Sequence, residues 1–168
     1  MKGRWVDDRW RVSTGNEVNA RGWRVDVGNA SLIDDAQLEL ADDINEARLA
    51  RWNQYFKLLK PLADAGKIEL QTIPEGCVHN AHMFWLKTAD EKECAALREF
   101  LKEYDILAVS HYVPLHSAPA GVKYGRFCGE DRYTTKESER LLRLPMYYGL
   151  TEEEAAFVAE KVKEFYGA

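Results

Sequence analysis

The sequence lacks any uninterrupted apolar run of the roughly 18 to 20 residues that a membrane-spanning helix needs. Its opening stretch, MKGRWVDDRWR, has no apolar segment that could act as a signal peptide. Cysteine is scarce: there are three in 168 residues, an odd number at wide spacing, which excludes a disulfide framework. We therefore expect a cytoplasmic protein with no membrane partner.

Positive charge is not in excess either. The chain carries 23 Lys and Arg against 28 Asp and Glu, for a net charge of −5, and its basic residues are spread out. This balance argues against a phosphate backbone as partner, so we expect no nucleic acid. Glycine-rich phosphate loops, G-x-S-x-G elbows and H-E-x-x-H helices are also absent from the sequence, which leaves no standard catalytic motif.

The apolar content, 46% hydrophobic residues, is sufficient for one domain-sized core. Residues 1–32 contain three tryptophans among many charged residues, and their apolar residues follow neither a helical nor an alternating period. We therefore expect an irregular N-terminal segment there. Residues 33–168 should form the folded domain. Apolar spacing predicts helices over 34–66, 89–104, 134–142 and from Thr151 onward, and strands over 81–87, 106–113 and 143–148. Gly66 should end the first helix, whose last turn should bend or end at Pro61. Thr134 or Thr135 should cap the third helix, and Thr151 with Glu154 should form a capping box at the last. Strands alternating with helices indicate an α/β or α+β fold.

The most suggestive polar stretch runs from His111 to His116, with the sequence HYVPLH. Two imidazoles and a phenol leave a predicted strand and enter a loop bracketed by Pro114 and Pro119. Such groups can hydrogen-bond sugar hydroxyls or phosphate oxygens. The alternative is a polar strand end that binds nothing, because His and Tyr are commonly half-buried.

Three metal-capable side chains, Cys77, His79 and His82, also lie close together in sequence. A zinc site would need a fourth ligand from elsewhere, for which Cys128 is a candidate. The two histidines straddle a turn before a strand, where side chains alternate between faces and need not converge. We therefore predict no metal site.

Three long stretches resemble one family of enzymes: HNAHMFWLK, FLKEYDILAVSHYVPLHSAPAG and GRFCGEDRYTTKESERLLRLPMYYGLT. They are similar to the DegT/DnrJ/StrS type of sugar aminotransferase. The resemblance implies the small C-terminal domain of a fold-type I aminotransferase, a short sheet packed with helices. It also implies pyridoxal phosphate as cofactor and a homodimer. The reaction implied is amino transfer from glutamate to a TDP-4-keto-6-deoxyhexose, for cell-surface polysaccharides such as lipopolysaccharide and enterobacterial common antigen.

The resemblance also implies site residues. Five side chains match positions on the sugar-nucleotide side of the family's cleft: His111, Tyr112, His116, Arg126 and Tyr133. Asn29 and Ser31 fall near the turn that contacts the cofactor phosphate. The Schiff-base lysine of the family lies upstream of the matched region, and no lysine here stands in its sequence context. We therefore assign no catalytic residue and do not expect this chain alone to bind pyridoxal phosphate.

Two functions follow as expectations. The first is the C-terminal portion of a nucleotide-sugar aminotransferase, inactive alone, which would work as a homo-oligomer or with a separate N-terminal aminotransferase fragment. The alternative is a non-catalytic module that binds a sugar nucleotide or docks on a transaminase.

Overall fold

The computed structural model describes residues 39–168 and, before them, four short strands between residues 3 and 25. The chain divides into two compact units, residues 1–44 and residues 45–168. The predicted boundary lies earlier, between residues 32 and 33, and it stays a prediction. Asn29 and Ser31, the candidates for the cofactor phosphate, lie outside the described residues.

The N-terminal unit contains a four-stranded antiparallel sheet in sequence order. Its strands are β1 (Gly3–Val6), β2 (Arg9–Val12), β3 (Glu17–Val18) and β4 (Arg24–Val25). In the register of β1 and β2, Trp5 is paired with Trp10. The segment was expected to be irregular. Strands of two to four residues are too short to give the periodic pattern from which a strand is predicted.

The C-terminal unit is built on a second antiparallel sheet. Its strands are β5 (Glu69–Leu70), β6 (Phe84–Lys87), β7 (Val109–Ser110) and β8 (Leu141–Leu144). They lie in the order β5, β6, β8, β7, so that β6 and β8 are central and β7 is an edge strand. Along β6 and β8 buried and half-buried residues alternate, as expected for a sheet with one face in the core.

Five helices accompany this sheet. They are α1 (Ala41–Asp64), α2 (Glu91–Lys102), α3 (Pro119–Tyr124), α4 (Thr134–Glu139) and α5 (Glu152–Phe165). A small antiparallel sheet packed with helices confirms the predicted mixed α/β class. Within the part of the chain that the structure describes, no helix is long and apolar enough to span a membrane.

The core lies between the inward face of the sheet and helices α1, α2 and α5. Tyr55 of α1 and Phe84 of β6 are fully buried at its centre, with ring centroids 5.1 Å apart. The hydroxyl of Tyr55 donates a hydrogen bond to the carbonyl oxygen of Pro145, just after β8, at 3.1 Å. This bond ties the longest helix to the end of a central strand.

Two helix ends, the start of α5 and the end of α1, carry the signals predicted from the sequence. Thr151 and Glu154 form the predicted capping box, in which each side chain accepts a hydrogen bond from the other residue's backbone N–H. Helix α1 continues past Pro61 to Asp64 and ends at Gly66, whose φ of +70° suits glycine. The helix therefore does not end at the proline, which lies within its last turn.

Three predicted elements differ from those observed. The strand expected over 106–113 is reduced to Val109–Ser110, and the loop after it contains the unpredicted helix α3. The strand expected over 143–148 begins at Leu141, because the preceding helix ends at Glu139. The cap expected at Thr134 or Thr135 is wrong, because the side chain of Asp131 accepts hydrogen bonds from both backbone N–H groups.

Replacing Phe84 by Ala should lower the free energy of unfolding by about 3 to 5 kcal/mol, because the ring is fully buried and would leave a cavity. Leu107→Ala is the matched control, since that side chain is 78% exposed and its loss should cost less than about 0.5 kcal/mol. Urea unfolding measures both. Equal losses in the two variants would contradict the packing described.

Candidate functional site

The candidate site lies on the loop that follows edge strand β7, residues 111–133. This loop turns back at its proline-rich start, where the backbone N–H groups of Ser117 and Ala118 both donate to the carbonyl oxygen of Pro114. Further along, Gly121 packs against Leu115 so closely that a Cβ at residue 121 would lie 1.6 Å from the Leu115 carbonyl oxygen. Only glycine permits this approach, so the sequence itself enforces a compact loop.

His116 anchors the loop to the start of α4. Its Nε2 lies 2.9 Å from Oδ2 of Asp131 and 3.3 Å from Oγ1 of Thr135. The imidazole also packs on Phe127, with ring centroids 4.5 Å apart. Because Nε2 contacts Asp131 and Thr135, Nδ1 is the ring nitrogen that remains available to bind a ligand.

Asp131 joins the loop to the helix. Its carboxylate accepts hydrogen bonds from the hydroxyl of Thr135 at 2.5 Å and from the backbone N–H groups of Thr134 and Thr135. The Thr135 hydroxyl, and then the backbone N–H groups and the neighbouring His116, hold the pKa of Asp131 below its usual value. The ionised carboxylate is therefore the form that keeps the loop in place.

His111 and Tyr112 form a second cluster at the other end of the loop, with Arg143 of β8. The rings of His111 and Tyr112 are 4.7 Å apart, and Cζ of Arg143 lies 5.8 Å from the Tyr112 ring centroid. Burial, and then the positive charge of Arg143, lower the pKa of His111. The imidazole is therefore neutral near pH 7 and keeps one N–H donor and one acceptor nitrogen.

Between the two clusters lies a cleft of about 360 Å³. Helix α2 forms one wall, and the first part of the 111–133 loop and helix α4 form the others. Tyr112 and Thr135, one from each cluster, both line it. Two larger depressions, of about 490 and 400 Å³, contain none of the predicted site residues.

The structure brings the five predicted substrate residues together only in part. His111 and Tyr112 share one cluster, and His116 belongs to the other. Arg126 and Tyr133 lie on the same loop but are exposed, and no side-chain hydrogen bond, ion pair or aromatic contact within residues 39–168 joins either of them to the clusters. Their role in substrate binding stays a prediction.

Sequence reasoning missed three residues of the two clusters: Asp131, Thr135 and Arg143. Asp131 precedes Thr134 by three positions, the spacing at which an aspartate caps a helix start, and this signal was available. Arg143 interrupts an apolar strand at a position facing away from the core, which indicates a charged group on the outer face of the sheet. Nothing in the sequence alone placed it beside Tyr112.

Two of the three metal-capable residues before β6, His79 and Cys77, lie in different environments. His79 packs edge-on against Trp52, with centroids 4.6 Å apart, and its Nδ1 accepts a hydrogen bond from the backbone N–H of Ala81. Cys77 is an exposed free thiol. Among the described residues no group of three or more potential ligands converges.

The described residues do not fit a covalent pyridoxal phosphate site. No lysine lines the 360 Å³ cleft. Lys87 and Lys161, both half-buried, each donate at 2.6 Å to a carboxylate, of Glu137 and Glu164 respectively. The bond to Glu164 raises the pKa of Lys161. A lysine that forms a Schiff base must give up its proton, and such pairing opposes that loss.

Comparison with known proteins gives a family assignment that covers most of the chain. The profile of the DegT/DnrJ/EryC1/StrS aminotransferase family matches residues 16–163. The solved structure of S. venezuelae DesV in complex with a ketimine intermediate is similar over 78% of this chain, at 26% identity and a TM-score of 0.67. This chain covers 34% of the DesV chain.

Two curated relatives have names that do not describe aminotransferases. A pleiotropic regulatory protein of Geobacillus stearothermophilus is 28% identical over 149 residues, 83% of this chain and 39% of the relative. The CDP-diacylglycerol–serine O-phosphatidyltransferase PssA of Escherichia coli is 44% identical over 68 residues, 40% of this chain and 15% of that enzyme. The chain thus spans well under half the length of each relative.

Asp131→Asn should lower the free energy of unfolding at pH 6, because it removes the charge that binds His116 and the start of α4. The folded-state pKa of Asp131 lies below its unfolded value of about 3.9, so its contribution is present above that pH and is lost as the pH falls through the folded pKa. The difference between wild type and variant should therefore shrink at low pH, measured by urea unfolding between pH 6 and pH 2.5.

Asp64→Asn is the control, because Asp64 forms an exposed pair with Lys60 at the end of α1. A difference between wild type and Asp131→Asn that did not change with pH would contradict the role given to the carboxylate.

Proposed function

The chain belongs to the DegT/DnrJ/EryC1/StrS aminotransferase family, and on this basis we propose that it is the sugar-nucleotide-binding, C-terminal part of a nucleotide-sugar aminotransferase. Members of this family are sugar aminotransferases that depend on pyridoxal phosphate. The observation that carries the proposal is the 111–133 loop with its two polar clusters, each of which contributes one residue, Tyr112 or Thr135, to a cleft that no lysine of the described residues lines.

The substrate proposed is a TDP-4-keto-6-deoxyhexose, which would receive an amino group from glutamate. This choice follows a resemblance to the transaminase that forms TDP-4-amino-4,6-dideoxygalactose, a building block of enterobacterial common antigen. The near-verbatim stretch from Gly129 to Pro145 supports this choice, because it contains Asp131, Thr135 and Arg143 of the two clusters. The product would enter cell-surface polysaccharide or lipopolysaccharide biosynthesis in the cytoplasm.

In this reaction the described residues would bind and orient the sugar nucleotide. The free Nδ1 of His116 and the phenol of Tyr112 offer hydrogen bonds to sugar hydroxyls, and Arg126 and Tyr133 extend the polar surface of the loop. The Asp131 carboxylate acts through His116, because it fixes the imidazole and leaves Nδ1 for the ligand. None of these groups replaces the lysine that holds the cofactor.

We further propose that this chain alone does not catalyse transamination. Covalent attachment of the cofactor and proton transfer by lysine provide much of the rate of such enzymes, and the described residues supply neither. A separate N-terminal aminotransferase fragment would supply the missing groups, and the chain would in addition form a homo-oligomer. Residues 33–168 would then act as the small domain and residues 1–32 as an added segment.

The second candidate is a non-catalytic module that binds a sugar nucleotide or docks on a transaminase. The exposed apolar side chains of the 111–133 loop favour it, since Leu115, Tyr124 and Tyr133 are each more than 70% exposed. The similarity to the phosphatidyltransferase gives no comparable support, because it covers 15% of that enzyme.

Calorimetric titration of the purified chain with a TDP-sugar should show saturable binding, and His116→Ala should weaken it at least about tenfold because the donor and the loop anchor are both lost. His82→Ala is the matched control, since this exposed histidine lies outside both clusters and should leave the affinity unchanged.

The same preparation should show no turnover of glutamate and a keto sugar nucleotide. Absence of TDP-sugar binding would contradict the proposed substrate, and turnover by the chain alone would contradict its proposed inactivity.

A further inference from the structure

Arg143 is a half-buried cation for which residues 39–168 provide no carboxylate partner. It lies on the outer face of the sheet, opposite Trp85 of β6 and Val109 of β7 in the strand register. Its Nε is buried and forms no hydrogen bond within the described residues, and no carboxylate there lies within 4 Å of its guanidinium. Arginines withdrawn from water are normally matched by carboxylates.

Two other half-buried arginines of the same domain follow that rule. Arg140 contacts both Glu69 and Glu137, and Arg51 lies 4.0 Å from Glu152. Arg48 of α1 does not follow it, because its Nε is also buried without a hydrogen-bond partner in the described residues. What distinguishes Arg143 from Arg48 is a second unpartnered polar atom in the same cluster, on His111.

A second unmatched group lies beside the first. The Nδ1 atom of His111 is also buried without a hydrogen-bond partner in the described part of the chain. His111 and Arg143 both contact the ring of Tyr112, at 4.7 Å between ring centroids and 5.8 Å from Cζ to the centroid, and the guanidinium charge contributes to lowering the pKa of the imidazole. Two neighbouring polar atoms that both lack partners mark a place where an external acceptor would be favoured.

The backbone at the same place is strained. Tyr112 has a φ of +62°, an uncommon value for a bulky residue, and this conformation holds its ring over the guanidinium of Arg143. Strained residues of this kind cluster at ligand sites, where the surrounding structure maintains them. The ring is 75% exposed, so it can move aside without disturbing the core.

We propose that Arg143 and His111 form an oxyanion-binding site, in which the guanidinium and the imidazole N–H donate to the oxygens of a phosphate or carboxylate group. A planar guanidinium suits either group, because both present two oxygens at matching spacing. The identity of the ligand rests on the proposed function, which offers the diphosphate of a nucleotide sugar and the carboxylate of glutamate. Tyr112 covers the guanidinium until the anion binds.

The test is a titration of the isotopically labelled full chain followed by NMR, with inorganic pyrophosphate in one series and glutamate in the other. The Nε–H resonance of Arg143 and the ring resonances of His111 should shift saturably. Arg143→Gln should weaken binding at least about tenfold. Arg143→Lys, which keeps the charge but loses the planar fork, should weaken it less.

Arg51→Gln is the matched control, since Arg51 already has a carboxylate partner, and it should leave the titration unchanged. A response to pyrophosphate alone supports a phosphate site, and a response to glutamate alone supports a carboxylate site. If Arg143→Gln fails to fold, His111→Gln and Arg143→Lys provide the same comparison. No saturable shift with either anion, or an unchanged affinity in the Arg143 variants, would overturn the proposal.

The result of this titration can be distinguished from the result of the TDP-sugar titration that tests the proposed function. Saturable pyrophosphate binding without TDP-sugar binding would retain the oxyanion site and reject the nucleotide-sugar substrate. TDP-sugar binding together with no saturable shift for either pyrophosphate or glutamate would do the opposite.

Discussion

The pleat of the two central strands, β6 and β8, is the constraint from which the rest of the domain follows. Because side chains alternate along a strand, placing Phe84 and Leu142 in the core forces Trp85 and Arg143 to the opposite face. The inward face is covered by helices and determines stability. The outward face carries the charged group that, with His111 and Tyr112, forms one side of the candidate site.

The 111–133 loop depends on that sheet for its position and on a few polar contacts for its shape. It leaves edge strand β7 beside Arg143 and is held at the other end by His116 against Asp131 and Thr135. Between these ends the close approach of Gly121 to Leu115 keeps the chain compact. A loop fixed at both ends on a rigid scaffold is a suitable place for ligand-binding groups.

The sequence was sufficient to predict the features that depend on local signals. The capping box at Thr151 and the glycine that ends α1 are such cases, because neighbouring residues determine both. Apolar spacing likewise gave the α/β class and the position of β6. The short strands before residue 26 and helix α3 were missed, because charged residues, glycine or proline interrupt their few apolar residues and leave no apolar run or period.

For the site, sequence reasoning found the loop but only part of its chemistry. His111, Tyr112 and His116 were recognised from a local motif, and the structure places them in two clusters at the two ends of one loop. Arg143 could not be placed with them from sequence. Its position beside Tyr112 depends on the pairing of β7 with β8, which lie more than thirty residues apart along the chain.

The central claim is that this chain supplies ligand-binding groups to a sugar aminotransferase and does not itself hold the cofactor. The most direct test is the absorbance spectrum of the purified chain during titration with pyridoxal phosphate, alone and mixed with an N-terminal aminotransferase fragment. The account predicts a visible band of protein-bound cofactor only in the mixture. A saturable band at one cofactor per chain, given by this chain alone, would contradict it.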